Sequence, residues 1–271
     1  MGGGGDSEGR TMSNTILSFE HGGQVARVTL AAPKANIVDQ AMMTALAANL
    51  EELKNRSNLK VVILSAEGPH FSFGASVQEH LPDFVQSMLP RFSELLRQFL
   101  KLPAVTVAAV RGQRLGGGFE LALACDFILA EAGANFGCPE IKLGVFPPAA
   151  AVLLPARIGA SRAAELVLTG NAWTASQAMA AGLVVQTAPV GQLDATVDMW
   201  IGGCLLARSV TALRYGVRAV RLPVLRVLEE DLPRLERMYL DELMTEPDAA
   251  EGLRAFIEKR EPRWAGKGAL A

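Results

Sequence analysis

The sequence predicts an α/β fold with crossover connections, and three observations predict it. VVILSA (61–66), VTVAAV (105–110) and FILAEA (127–132) are short continuous apolar runs, the pattern of strands buried on both faces. The segments between them carry apolar residues at helical spacing. Strand and helix therefore alternate, which favours a parallel sheet covered by helices.

Each element has its own signal. ILSFEHGGQVARVTLAAP (16–33) predicts a hairpin, two strands around His21-Gly22-Gly23, closed by Pro33. Asp39 is the expected N-cap of a helix reaching about Asn55, with Met42, Leu46, Leu50 and Leu53 on one face. FVQSMLPRFSELLRQFLKL (84–102) predicts a second helix, with Pro90 a kink or a second start. From Ala160 the chain becomes rich in alanine and leucine and reads as helices, with Gly170 and Gly182 as C-caps. The expected organisation is a tail at residues 1–12, a main unit at 13–200 and a helical C-terminal region at 201–271.

Composition excludes several function classes. The chain has 271 residues, half of them apolar, enough for one large core. Its formal net charge of −2 leaves no electrostatic case for nucleic-acid binding. The basic run RYGVRAVRLPVLR (214–226) is followed at once by acidic residues and reads as a solvated helix face. Cys125, Cys138 and Cys204 lack metal-ligand spacing and predict free thiols in a reducing, cytoplasmic compartment. MGGGGDSEGRTM has no apolar core of a signal peptide, and no apolar stretch of spanning length is free of charge and proline.

The residues that point to chemistry lie in GQRLGGGFELALACD (112–126). Glycines before a helix admit close approach of a ligand and leave the first-turn N–H groups free to meet an acceptor. No phosphate-loop or dinucleotide pattern accompanies them, and on their own they read as tight helix–strand packing. Glu120 changes that reading. A carboxylate among Phe119, Leu121, Ala122 and Leu123 costs several kcal/mol, roughly, to bury unless it is paired or protonated. Glu140 follows in the apolar loop ANFGCPEIKLGVFPPAA (134–150); alone it reads as a solvated or ion-paired glutamate. Two carboxylates in apolar surroundings beside free backbone N–H groups suit acid–base work on a polarised carbonyl.

GQRLGGGFELALACDFILAEAGANFGCPEIKLGVFPP, with HFSFGASVQEHLP (70–82) upstream, resembles the signature of the crotonase (enoyl-CoA hydratase/isomerase) superfamily, and the likeness runs from about Ile16 to Lys259. The resemblance implies a spiral of ββα units and a C-terminal helical region that assembles trimers or dimers of trimers. It implies an acyl-CoA substrate whose thioester oxygen sits between the amides of Ala75 and Gly117. Hydratases of the superfamily carry both glutamates, which makes Glu120 the base toward water and Glu140 the acid toward the α-carbon. Lys34, Ala35, Gly74, Ser76 and Val77 fall where relatives hold CoA, and Gly116 and Pro148 border the acyl group. Lys34 equally reads as an exposed turn lysine, and Lys259 falls near the CoA of a neighbouring subunit. No metal or redox cofactor is implied; coenzyme A enters with the substrate.

Two departures from the common pattern bear on the substrate. Ser76 stands where hydratases usually carry aspartate, and PPAAAVLLP (147–155) replaces a glycine-rich stretch. With these features the chain most resembles hydratases of cyclohexa-1,5-diene-1-carbonyl-CoA, which serve anaerobic aromatic degradation. A general enoyl-CoA hydratase or isomerase of fatty-acid oxidation, or a non-catalytic acyl-CoA binder, are the competing readings. His80 reads as a partly exposed helix residue, with lining the acyl pocket or orienting a water as the alternative, and Cys138 reads as packed. Phe73, Phe146 and Trp173 either wall a ring-shaped substrate or pack the core.

Overall fold

The computed structural model describes residues 10–12, 14–33 and 35–266. Order begins earlier than the sequence suggests. A first strand, β1 (Arg10–Met12), pairs antiparallel with β2 (Thr15–Glu20), while Ser13 and Lys34 lie outside the described residues. β2 pairs with β3 (Val25–Leu30) in the register Thr15↔Leu30 to Glu20↔Val25. The turn between them needs positive φ at three successive residues, His21, Gly22 and Gly23.

Helix α1 (Gln40–Lys54) starts at Asp39, whose Oδ1 accepts the Met42 amide at 2.8 Å. It leads to β4 (Val61–Ala66), which runs parallel to β3 and is buried throughout, as the continuous apolar run demands. Helix α2 (Pro82–Lys101) then crosses to β5 (Val105–Val110), parallel to β4. Pro90 does not restart α2, which is continuous through it. Its exposed ring forfeits one backbone bond, while Val85, Leu89, Phe92, Leu96 and Phe99 bury an unbroken stripe around it.

Next come β6 (Gln113–Leu115), α3 (Gly117–Leu123) and β7 (Phe127–Glu131), the last parallel to β5. β8 (Asn135–Gly137) returns to β6; α4 (Pro148–Ile158), α5 (Ala160–Thr169), β9 (Ala172–Thr174) and α6 (Ala175–Ala180) follow. β10 (Gln186–Ala188) closes the large sheet beside β7. The large sheet therefore has the order β1-β2-β3-β4-β5-β7-β10, and a small sheet has the order β6-β8-β9. The change of composition at Ala160 does not end the sheets, because β9 and β10 lie beyond it. Gly170, at φ 64, caps α5 as expected, and Gly182, at φ 77, follows the end of α6.

The C-terminal part is helical: α7 (Leu193–Ile201), α8 (Val210–Glu230), α9 (Leu232–Arg237) and α10 (Pro247–Ile257). The basic run in α8 is not wholly a solvated face. Arg221 is 3% exposed and all its N–H groups are used. It bonds Asp126 at 2.7 and 2.6 Å and the carbonyls of Leu100, Leu102 and Ala104 at 2.7–3.0 Å. Asp126 in turn accepts the Thr106 amide at 2.8 Å. One guanidinium thus ties α8 to the end of α2, the start of β5 and the turn before β7. No helix among the described residues is long and apolar enough to cross a membrane.

Candidate active site

The glycine turn ahead of α3 is the centre of the site. Gly116 has φ 49 and Gly74 has φ 101, conformations that L side chains rarely adopt. A Cβ on Gly74 would lie 2.7 Å from the Leu115 carbonyl oxygen, so the segment carrying Ala75 closes directly onto the turn. A Cβ on Gly117 would lie 3.1 Å from the Ala75 nitrogen, which places the two amides side by side. Among the described residues neither amide donates to another protein group, whereas Gly116 N–H is tied to the Gly137 carbonyl at 3.1 Å. Behind them Ser72 fixes the strand: its hydroxyl donates to Asn36 O at 2.7 Å and accepts the Gly74 amide at 3.1 Å.

Both glutamates converge here. Glu120, in the first turn of α3, is 5% exposed, and its Oε1 accepts the Ala150 amide at 2.7 Å. Glu140 sits in a short 3-10 turn, Pro139–Leu143, with Oε1 against Gly116 and Oε2 buried without a hydrogen-bond partner. Burial pushes the Glu120 carboxyl up to about 7, against the pull of the Ala150 and Ala149 amides. Burial, and then the charge of Glu120, pushes Glu140 up to about 8. Two neighbouring buried carboxyls of this kind titrate as one coupled system. Cys138, beside them, is buried and its thiol is pushed well up by burial and by both carboxylates, which suits packing and not nucleophilic attack.

A cavity of about 620 Å³ opens over Glu140. Of the candidate residues, Gly74, Ala75, Ser76, Val77 and Gly116 line it. Ala35, Pro148 and Lys259 do not. Ala35 sits behind the wall, its carbonyl accepting the Phe73 amide at 3.0 Å, and Pro148 is buried as the first residue of α4. Lys259 is exposed at the end of α10, and the next residue, Arg260, is the one on the wall. Glu120 and Gly117 are buried and do not line it; Gly117 packs against Ala75, and the charge of Glu120 acts on Glu140. The predicted phosphate contact at Lys34 lies outside the described residues.

Other wall residues escaped sequence reasoning. Helix α10 of the same chain forms one side through Leu253 and Phe256. It can approach because Gly252 has no side chain: a Cβ there would lie 2.2 Å from the Leu143 carbonyl oxygen. His80, half-buried in a short 3-10 turn (Gln78–His80), is on the wall too. Its Nδ1 lies 2.8 Å from the Ser76 carbonyl, so that nitrogen carries the proton, and burial lowers its pKa. Of the three aromatics considered, Phe73 lines the cavity. Phe146 instead meets Tyr239 edge-on at 5.4 Å, and Trp173 is buried in the small sheet with its indole N–H on Glu165. No cluster of His, Cys, Asp and Glu able to hold a metal occurs among the described residues.

Comparison with known proteins places this geometry. Residues 20–267 match the enoyl-CoA hydratase/isomerase family. The chain is 42% identical over 249 residues to cyclohexa-1,5-dienecarbonyl-CoA hydratase of Thauera aromatica, covering 92% of this chain and 96% of that one. It is 32% identical to 2,3-dehydroadipyl-CoA hydratase of Escherichia coli, covering 94% and 100%. The fold superposes on an enoyl-CoA hydratase from Mycobacterium avium subsp. paratuberculosis with a TM-score of 0.83 at 29% identity, covering 94% and 100%. A glycine turn with two buried glutamates, on a crotonase-type sheet arrangement, is thus carried by a chain that belongs to the enoyl-CoA hydratase/isomerase family.

Proposed function

We propose that the chain is an acyl-CoA hydratase whose substrate is a cyclic dienoyl thioester, cyclohexa-1,5-diene-1-carbonyl-CoA. One observation supports the reaction: two buried, electrostatically coupled carboxyls lie at the turn where the Ala75 and Gly117 amides stand free. The identity of 42% to the Thauera hydratase, against 32% to the dehydroadipyl-CoA hydratase, supports the cyclic acyl group.

The chemistry follows from charge. Water adds to the unsaturated thioester as its oxygen bonds the β-carbon and Glu120 takes its proton. The π electrons move onto the thioester oxygen, where the two amides donate to the developing negative charge. Losing one such donor costs about 2.7–4 kcal/mol of barrier. Protonated Glu140 then returns a proton to carbon and the thioester carbonyl re-forms. The higher pKa of Glu140 suits the acid, and the lower one of Glu120 suits the base. Proton exchange within the coupled pair resets the site. In a ring diene the second double bond extends the conjugation, so charge still reaches the clamped oxygen.

Lys142 and Arg260 are cations on the cavity wall toward which the phosphates of CoA could lie; Arg260 is already paired with Glu251 and Glu258, so Lys142 is the better placed of the two. The same reading makes the chain a cytoplasmic homotrimer or dimer of trimers, in which exposed apolar side chains of α7 and α8 such as Met199, Val220 and Leu222 become covered. Steady-state kinetics test the substrate: kcat/KM on cyclohexa-1,5-diene-1-carbonyl-CoA should exceed that on crotonyl-CoA, and a preference for crotonyl-CoA would remove the cyclic assignment.

A further inference from the structure

Tyr239 is a fully buried large side chain, at 1% exposure, and its hydroxyl has no hydrogen-bond partner among the described residues. A buried phenol usually finds one, because an unsatisfied polar group costs about 1–3 kcal/mol. The residue lies in a π-helical turn, Met238–Glu242, that follows α9. Its ring meets Phe146 edge-on at 5.4 Å. Phe146 belongs to the segment that holds both glutamates: Val145 N–H donates to the Glu140 carbonyl at 3.2 Å, and Ala150 N–H donates to Glu120. A second buried oxygen, Glu140 Oε2, is likewise without a partner. After burial, the charges of Glu140 and Glu120 raise the Tyr239 pKa, so the hydroxyl stays protonated and lies within electrostatic reach of both carboxyls.

We propose that Tyr239 contacts the reacting water, holding it between its hydroxyl and the two glutamates. The geometry of water makes the role specific. A water molecule has two protons and two lone pairs. Its protons go to Glu120 and Glu140, and one lone pair accepts the Tyr239 hydroxyl. The remaining lone pair is then the only one free, and it faces the substrate carbon. Tyr239 thereby fixes the direction of attack without itself losing a proton.

This inference rests on the hydratase reading, and the test separates the two. Tyr239→Phe keeps the ring against Phe146 and removes only the hydroxyl. Its kcat on the dienoyl-CoA should fall about tenfold or more, the range of a hydrogen bond to a charged centre, with KM little changed. The hydroxyl also stabilises the charged carboxylates through the shared water, so the titration of the protonated carboxyl band in the infrared should move to higher pH in the variant. That titration needs no turnover. A wild-type chain that hydrates no enoyl-CoA overturns the hydratase reading, while the infrared shift still decides for or against Tyr239. A variant with wild-type kcat, or with an unmoved carboxyl titration, overturns the role of Tyr239. Thermal denaturation of both proteins checks that the fold is kept.

Discussion

Oε1 of Glu140 lies against the backbone of Gly116, so close that a methyl group on that glycine would stand 2.1 Å from it. The carboxylate is therefore held where only glycine leaves room, beside the turn that presents the Gly117 amide.

Gly116→Ala should displace the Glu140 carboxylate and lower kcat on the order of 10²-fold, since an ångström of misplacement has that effect. Gly68→Ala is the control. Gly68 also has positive φ, at 81°, but open space around it, so it should lose stability without losing kcat. Comparing kcat and Tm of the two variants separates backbone strain from displacement of the acid.

The raised carboxyl pKa values make both activity and stability depend on pH. Catalysis needs one carboxyl charged and one protonated, so kcat should follow a bell with limbs near about 7 and about 8. For stability, each folded pKa lies above its ordinary value of 4.5. The folded chain holds extra protons in that interval, so the contribution is complete below about 4.5 and is lost as pH rises through about 7 and about 8. Glu120→Gln and Glu140→Gln should each flatten this decline and raise Tm at pH values above about 8 relative to wild type. Thermal denaturation across pH checks it; a wild-type Tm that climbs from pH 5 to 9 through these groups would contradict the sign.

Arg221→Met should destabilise the fold by roughly 3–5 kcal/mol, because it leaves Asp126 buried and three backbone carbonyls unmet. Asp126 is far less exposed than a surface partner, at 11% of its side chain. Denaturant unfolding measures the loss. Activity per folded molecule should persist, since neither residue lines the cavity.

Gly252→Val should push α10 away from the Leu143 carbonyl and open one side of the cavity. KM for the CoA thioester should rise about tenfold, equivalent to 1.4 kcal/mol of lost binding. The chemical step should change less, because Glu120 and the two amides lie on elements that the added side chain does not touch.

Much of this was legible in the sequence, for reasons tied to particular residues. Val61–Ala66 and Val105–Val110 read as buried strands because nothing polar enough interrupts them. Asp39 read as a cap because it precedes an amphipathic run. The three-residue strands β6, β8 and β9 are too short to show a period, and the small sheet was invisible. Glu120 stood out as a charge in an apolar helix, but its pairing with Glu140 depends on a glycine turn whose shape no local rule supplies. Arg221 looked like its solvated neighbours in α8, since burial of one face by distant strands leaves no mark on a basic run. The return of α10 over the cavity and the placement of Tyr239 depend on long-range packing through Gly252 and Phe146.

The most direct test of the two-carboxyl account is the turnover of Glu120→Gln and Glu140→Gln on cyclohexa-1,5-diene-1-carbonyl-CoA, with CoA thioester binding measured on the same samples. The account predicts that each loses on the order of 10²-fold or more in kcat while still binding the thioester. Wild-type turnover in both variants would contradict it.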